Sequence, residues 1–186
     1  MKEIALHLID LAENSIGADA NTVHISVHED FRTDALNVSV KDDGRGMSEE
    51  TVTRLSDPFF TSRTTRNIGL GIPLFKEAAE TCKGSLTIQS KPGAGTCVEA
   101  TFQHSHIDRM PLGDLSGTFF TLIVGHPDTH WIFTYSYTPP FRGEPRIFEF
   151  DDLAFKEVLD GFPMTHPDVL AFLRSTLQDG IAIARK

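Results

Sequence analysis

The chain has 186 residues, 40% hydrophobic and 23% charged, which supports a real core and excludes a disordered tail protein. Its net charge of -9 disfavours a protein that coats nucleic acid. No run of about 18 apolar residues occurs, and the opening MKEIALHLIDLAENS carries acids within its apolar stretch. No membrane span and no secretory leader are therefore expected, and the chain is read as cytoplasmic, with Cys82 and Cys97 as reduced packing residues.

Ile4, Leu8, Leu11 and Ser15 recur at helical spacing and predict a helix over 2–16, ended by Gly17. Val23, Ile25 and Val27 alternate, as do Leu36, Val38 and Val40, which predicts two half-buried strands around the acidic turn HEDFRTD. Ser48 is placed to cap a short helix with Glu49 and Glu50 in its first turn. Residues 57–68 lack an apolar period and are read as a loop. Ile72, Phe75, Ala79 and Cys82 mark a helix over 71–83, with Pro73 in its first turn. Strands at 85–90 and 96–102 flank the turn KPGAG.

Composition changes near residues 104–115. Five aromatic residues precede residue 104 and twelve follow it. The chain is accordingly divided into 1–103 and a C-terminal α+β appendage, 104–186. In the appendage, TFFTLIV (118–124) and WIFTYSY (131–137) read as strands and RIFEF (146–150) as a third. Residues 152–160 and 167–178 read as helices, the second capped by Thr165, with Pro167 and Asp168 in its first turn and Gly180 as its stop. Trp131, Phe133, Tyr135 and Tyr137 share one strand face, which offers an interface for a partner or a second copy of the chain.

Four short stretches carry chemistry-bearing residues. Asp10 and Asn14 lie one helical turn apart, an oxygen-rich pair suited to a hard cation such as Mg2+, or else a plain solvated face. A carboxylate there could also deprotonate a nucleophile. Asp42, Gly44 and Gly46 follow an alternating strand, where glycines let backbone approach a ligand and an acid can accept from an exocyclic amine; an ordinary Asp-Gly turn is the alternative. From Pro58 to Lys76 the chain holds Arg63, Arg66 and Lys76 and no acid, with Gly69 and Gly71 opening a helix. Helix-start N–H groups plus guanidinium groups make an anion site, and Phe59 and Phe60 could anchor such a loop as a lid. The last stretch, KPGAGT with Thr96, reads alone as a hairpin. The histidines His104, His106, His126 and His130 are either scattered surface groups or a metal cluster.

Taken in order, these stretches resemble the GHKL superfamily of histidine-kinase-like ATP-binding domains. HLIDLAENSIGADA looks like its asparagine box, DDGRGM its first glycine box, DPFFTSR its phenylalanine box, GLGIPL its second glycine box and GAGT its last. The resemblance covers residues 1–103. It implies that Asn14 holds the Mg2+ bridging the phosphates and that Asp42 binds the adenine amine, with Gly44 and Gly46 shaping the pocket. Gly69 and Gly71 would present N–H groups to the phosphates, Thr96 would support the adenine through water, and Arg63 and Arg66 would steady the γ-phosphate. Asp10 stands where many relatives carry a glutamate base, one methylene longer. His7, in the same helix, is read as structural.

The expected fold is a Bergerat-type α/β two-layer sandwich, helices on one face of a mixed, mainly antiparallel sheet, followed by the α+β appendage. The chain begins at the asparagine box, so a complete sensor kinase with its phosphoacceptor helices is not expected. The whole also resembles small stand-alone ATP-binding proteins of anaerobic bacteria, often encoded near iron-hydrogenase components. The expected function is Mg-ATP binding with phosphoryl transfer to a protein partner. The alternative is an ATP-dependent switch with slow or no hydrolysis that regulates a partner protein.

Overall fold

In the computed structural model, described for residues 3–56, 71–159 and 163–186, the chain folds in the order α1 (Ile4–Gly17), β1 (Thr22–Asp30), β2 (Ala35–Asp42), α2 (Glu49–Ser56), α3 (Gly71–Thr81), β3 (Ser85–Ser90), β4 (Thr96–Gln103), α4 (Leu115–Gly125), β5 (His130–Thr138), β6 (Arg146–Asp151), α5 (Asp152–Val158) and α6 (Pro167–Arg185). Six strands form one sheet in the order β3-β4-β2-β1-β5-β6. Every neighbouring pair is antiparallel except β1 with β5, where Ile25 faces Phe133 in parallel register.

The alternating strands sort their side chains as a period of two requires. Val23, Ile25 and Val27 of β1, Leu36, Val38 and Val40 of β2, and Trp131, Phe133 and Tyr135 of β5 are all buried. Against this face lies the helical layer, in which α1 touches α3 and α4, and α4 touches α6. The opposite strand face carries His24, Ser26 and His28 of β1 with Thr134 and Ser136 of β5. His24 Nε2 lies 2.9 Å from Thr134 Oγ1 and His28 Nδ1 3.0 Å from Ser136 Oγ. The architecture is the expected one: a mixed, mainly antiparallel open sheet with helices packed on it.

Four expectations for the second half are corrected. The strand face of Trp131, Phe133 and Tyr135, expected to offer an interface, is core: all three side chains are fully buried. Residues 118–124 are not a strand but the body of α4. Its β-branched and aromatic run suggests a strand, but Leu115, Thr118, Phe119, Leu122 and Ile123 recur at helical spacing and are buried. Asp114 caps the helix by accepting from the Gly117 N–H at 2.8 Å, and Phe119 stacks on Phe133 at 4.0 Å. Gly180 does not stop α6, which runs on to Arg185. A β-carbon at Gly180 would sit inside the ring of Phe148, so glycine serves a close helix–sheet approach there. His166, not Thr165, is the N-cap of α6, its side chain accepting from the Asp168 N–H at 3.3 Å.

The composition boundary at residue 104 falls between β4 and α4, and the sheet continues across it. A polar tetrad centred on buried Glu29 and Tyr135 joins the two halves at the far end of β1. Glu29, 6% exposed, accepts from the Tyr135 hydroxyl, from Arg185 Nη2 at 3.0 Å, and pairs with His104 Nε2 at 3.0 Å. Burial pushes the Glu29 carboxyl up, but the bonds from Tyr135 and His104 and the Arg185 charge bring it below the usual carboxylate range. Burial and the Glu29 carboxylate hold the Tyr135 phenol well above its ordinary value.

Candidate functional site

Asp42 ends β2 and is 8% exposed. One carboxylate oxygen accepts the Ser15 hydroxyl of α1 at 2.8 Å. The other accepts the Gly44 N–H at 2.9 Å and the Thr96 N–H at 3.1 Å. A carboxylate offers about four lone-pair positions. Three are taken, and one remains on the oxygen that faces Ser15. The helix, the Asp-Gly turn and the start of β4 thus fix a buried acid that can still accept.

Glycines let the surrounding turns close on this acid. Gly46 and Gly95 adopt φ of +65° and +81°. A β-carbon at Gly46 would enter the Lys91 carbonyl, and one at Gly95 the carbonyl of Asp42 itself. At Gly44 it would meet the Ala18 carbonyl oxygen at 2.7 Å. Ser90 joins the two turns: its hydroxyl donates to the Gly95 carbonyl at 2.9 Å, accepts the Met47 N–H at 2.8 Å, and lies 2.9 Å from Thr96 Oγ1. Asp43 faces the other way and accepts the N–H groups of Asn21 and Thr22 at 2.8 and 2.9 Å. Burial opposes its ionisation, but those two N–H groups hold its carboxyl below the usual range.

A cleft of about 680 Å³ opens beside Asp42. Its walls carry apolar Met47, Val52 and Ile88 together with polar Asp42, Ser90 and Thr96. Such a lining, apolar with a few fixed polar groups, suits a flat heteroaromatic ring. Asp10 lies on α1 against the first residue of α3, where a β-carbon on Gly71 would be 3.1 Å from an Asp10 carboxylate oxygen. Asn14 is exposed, next to Ser15 on the same helix. Asp42, Gly44, Gly46 and Thr96 are therefore brought together, and Asp10 meets Gly71. Arg63, Arg66, Gly69, Phe59, Phe60 and the expected lid lie outside the described residues.

Ser15 and Ser90 are contributors that sequence reasoning missed. Ser15 stood in the apolar row of a helix, and its hydroxyl shows its use only against Asp42, 27 residues away. The four histidines singled out earlier separate: His104 pairs with Glu29, His106 with Asp108, His126 with Glu13 and His130 with Asp151. Ligand atoms of His130, Asp151 and Asp152 lie within 4.8 Å of one another. There, Asp152 is already paired with the Lys156 ammonium at 2.7 Å and accepts the Trp131 N–H at 2.9 Å. Among the described residues, no helix is long and apolar enough to cross a membrane.

Residues 2–106 match the family of histidine kinase-, DNA gyrase B- and HSP90-like ATPases. The chain belongs to this family. Within its span fall every glycine turn just described, Asp42, Asp10 and Asn14; β5, β6 and α4 to α6 lie beyond it. The chain is similar to the sensor protein kinase FleS of Pseudomonas aeruginosa, 42% identical over 90 residues, which cover 48% of this chain and 22% of that protein. It is 36% identical over 111 residues to the non-motile and phage-resistance protein of Caulobacter vibrioides, covering 55% and 13% of the two chains. With sporulation kinase A of Bacillus subtilis it shares 31% over 102 residues, covering 55% and 16%. The chain thus aligns with about a fifth or less of the length of these relatives.

Proposed function

We propose that this histidine-kinase-like ATPase domain binds Mg-ATP and passes the γ-phosphoryl group to a protein partner. One observation carries the nucleotide reading: the buried Asp42 carboxylate, held by three donors, keeps one acceptor position beside an apolar cleft. Adenine presents an amine donor to such an acid; guanine presents a carbonyl in the corresponding place, which an ionised acid repels. In this reading Met47, Val52 and Ile88 cover the ring, Gly44 and Gly46 let the turn close on it, and Thr96 and Ser90 hold the far edge. The same reading assigns the phosphates to the N–H groups of Gly69 and Gly71 and to the Arg63 and Arg66 guanidinium groups, residue types suited to an anion.

The donor chemistry fits magnesium. Asn14 offers an exposed carboxamide oxygen and Asp10 a carboxylate one turn earlier, hard oxygen ligands of the kind Mg2+ takes alongside water. When bound, the ion would neutralise charge on the phosphates. Asp10 would take the proton of the acceptor hydroxyl or water. A second reading rests on the place of that same carboxylate. Asp10 packs against Gly71 at the start of α3, so ligand contacts there could move α3 and alter partner binding with slow or no hydrolysis.

Calorimetry with Mg-ATP, Mg-GTP and ATP plus chelator tests the nucleotide reading. Saturable binding of Mg-ATP is expected, with GTP and metal-free ATP much weaker. Equal binding of ATP and GTP would reject Asp42 as the base-reading group. A phosphorylation assay on proteins retained by the ATP-loaded chain then separates kinase from switch.

A further inference from the structure

One polar group near this site has no work in anything described so far. His7 of α1 is 2% exposed, and its Nδ1 is buried with no hydrogen-bond partner among the described residues. Its ring lies flat on Phe75 of α3, centroids 4.6 Å apart and planes 18° from parallel. Phenylalanine would fill that place with the same stacking and no orphaned nitrogen, whereas a buried nitrogen left unpaired destabilises the fold. A buried polar group left without a partner in the fold calls for an explanation, and a role in the chemistry of a neighbouring site is one.

The helix indicates which partner. Side chains on a helix lean toward its N-terminus, so Asp10 leans back over the turn that carries His7, three residues before it. Both face α3 one turn apart: Asp10 meets Gly71 and His7 meets Phe75. Burial lowers the basicity of His7, with the Asp10 charge opposing. A neutral imidazole carries one N–H, which either ring nitrogen can hold.

We propose that His7 is the positioning residue for Asp10: once nucleotide draws Asp10 away from Gly71, the His7 Nδ1–H donates to the Asp10 carboxylate and aims it at the phosphate end of the site. This rests on the Mg-ATP reading above. No proton leaves His7; the hydrogen bond fixes the direction of the carboxylate, as the partner of a catalytic base does elsewhere.

The test uses the full chain with isotope-labelled histidine. Calorimetry first establishes saturation by Mg2+ with a non-hydrolysable ATP analogue. The His7 imidazole signal is identified as the one missing from His7→Phe, or from His7→Gln where the phenylalanine variant fails to fold. On saturation, the Nδ1 resonance of His7 should move, and the movement should be lost in Asp10→Ala. His7→Phe should bind the analogue within about threefold of wild type while losing roughly tenfold or more in turnover, the usual cost of removing an orienting partner. His7→Gln, which retains an N–H donor, should recover part of that loss. A His7 signal unmoved at saturation, or moving equally in Asp10→Ala, overturns the proposal alone. Failure of the analogue to bind overturns the ATP reading and the proposal with it.

Discussion

Three donors converge on Asp42, so changing it to asparagine has two separable effects. With its one oxygen toward the Gly44 and Thr96 N–H groups, the amide turns its NH2 to Ser15, whose hydroxyl can accept it: the charge that strengthens these bonds is gone, and so is the free acceptor position. A hydrogen bond to a charged group is worth about 1.5–3 kcal/mol. Asp42→Asn should therefore weaken ATP binding by roughly tenfold or more and lower the unfolding midpoint as well; unchanged calorimetric affinity would reject the assignment. Asp10→Asn makes the opposite pattern. It preserves volume, removes the charge, and should leave ATP affinity within a few-fold while reducing turnover by roughly 10²–10⁴. Wild-type turnover undiminished in this variant would favour the switch. Asp42 was legible in the sequence because an alternating strand delivered it to an Asp-Gly turn. Ser15 was not, because its hydroxyl acquires meaning only when a helix and a strand meet.

Elements were legible where the hydrophobic period was clean, and misleading where composition spoke louder than spacing. Val23, Ile25 and Val27 could only alternate. The run from Thr118 to Val124 carries strand-favouring residues, yet its helical period is completed by Leu115 and by the cap at Asp114, both outside the apolar run. Gly180 shows the same conflict between local rule and tertiary contact. In an isolated helix, Gly→Ala stabilises by about 1 kcal/mol. Here the added methyl would penetrate Phe148 of β6, so Gly180→Ala should destabilise, read as a lower denaturant midpoint. Pairing it with Phe148→Leu should restore much of the loss. If Gly180→Ala alone raises the midpoint, the close approach of α6 to β6 is wrong.

At the scale of the whole molecule, the tetrad of Glu29, His104, Tyr135 and Arg185 ties β1 to β5 and to the end of α6. Glu29 ionises more readily folded than unfolded. Its contribution is thus fully present above the unfolded carboxylate value and is lost as pH falls through the lower folded value. Urea midpoints measured on either side of the carboxylate range should fall more steeply with acid in wild type than in Glu29→Gln. Parallel slopes would remove Glu29 as the source. None of this was legible in the sequence: the four residues are scattered from position 29 to position 185, and only the sheet order brings them together.

The parallel seam between β1 and β5 bears on how the chain is made. A ribosome delivers β1 and its hairpin partner β2 almost together, but Ile25 waits for Phe133 until the nascent chain has grown past α4. Through that interval the family-matching stretch, complete at residue 106, holds an uncovered apolar strand whose N–H and C=O groups point outward. Such an edge recruits other strands, including those of a neighbouring nascent chain, and late long-range pairings are slow to form. Translation stalled between residues 106 and 130 would leave that edge open and a product prone to aggregate.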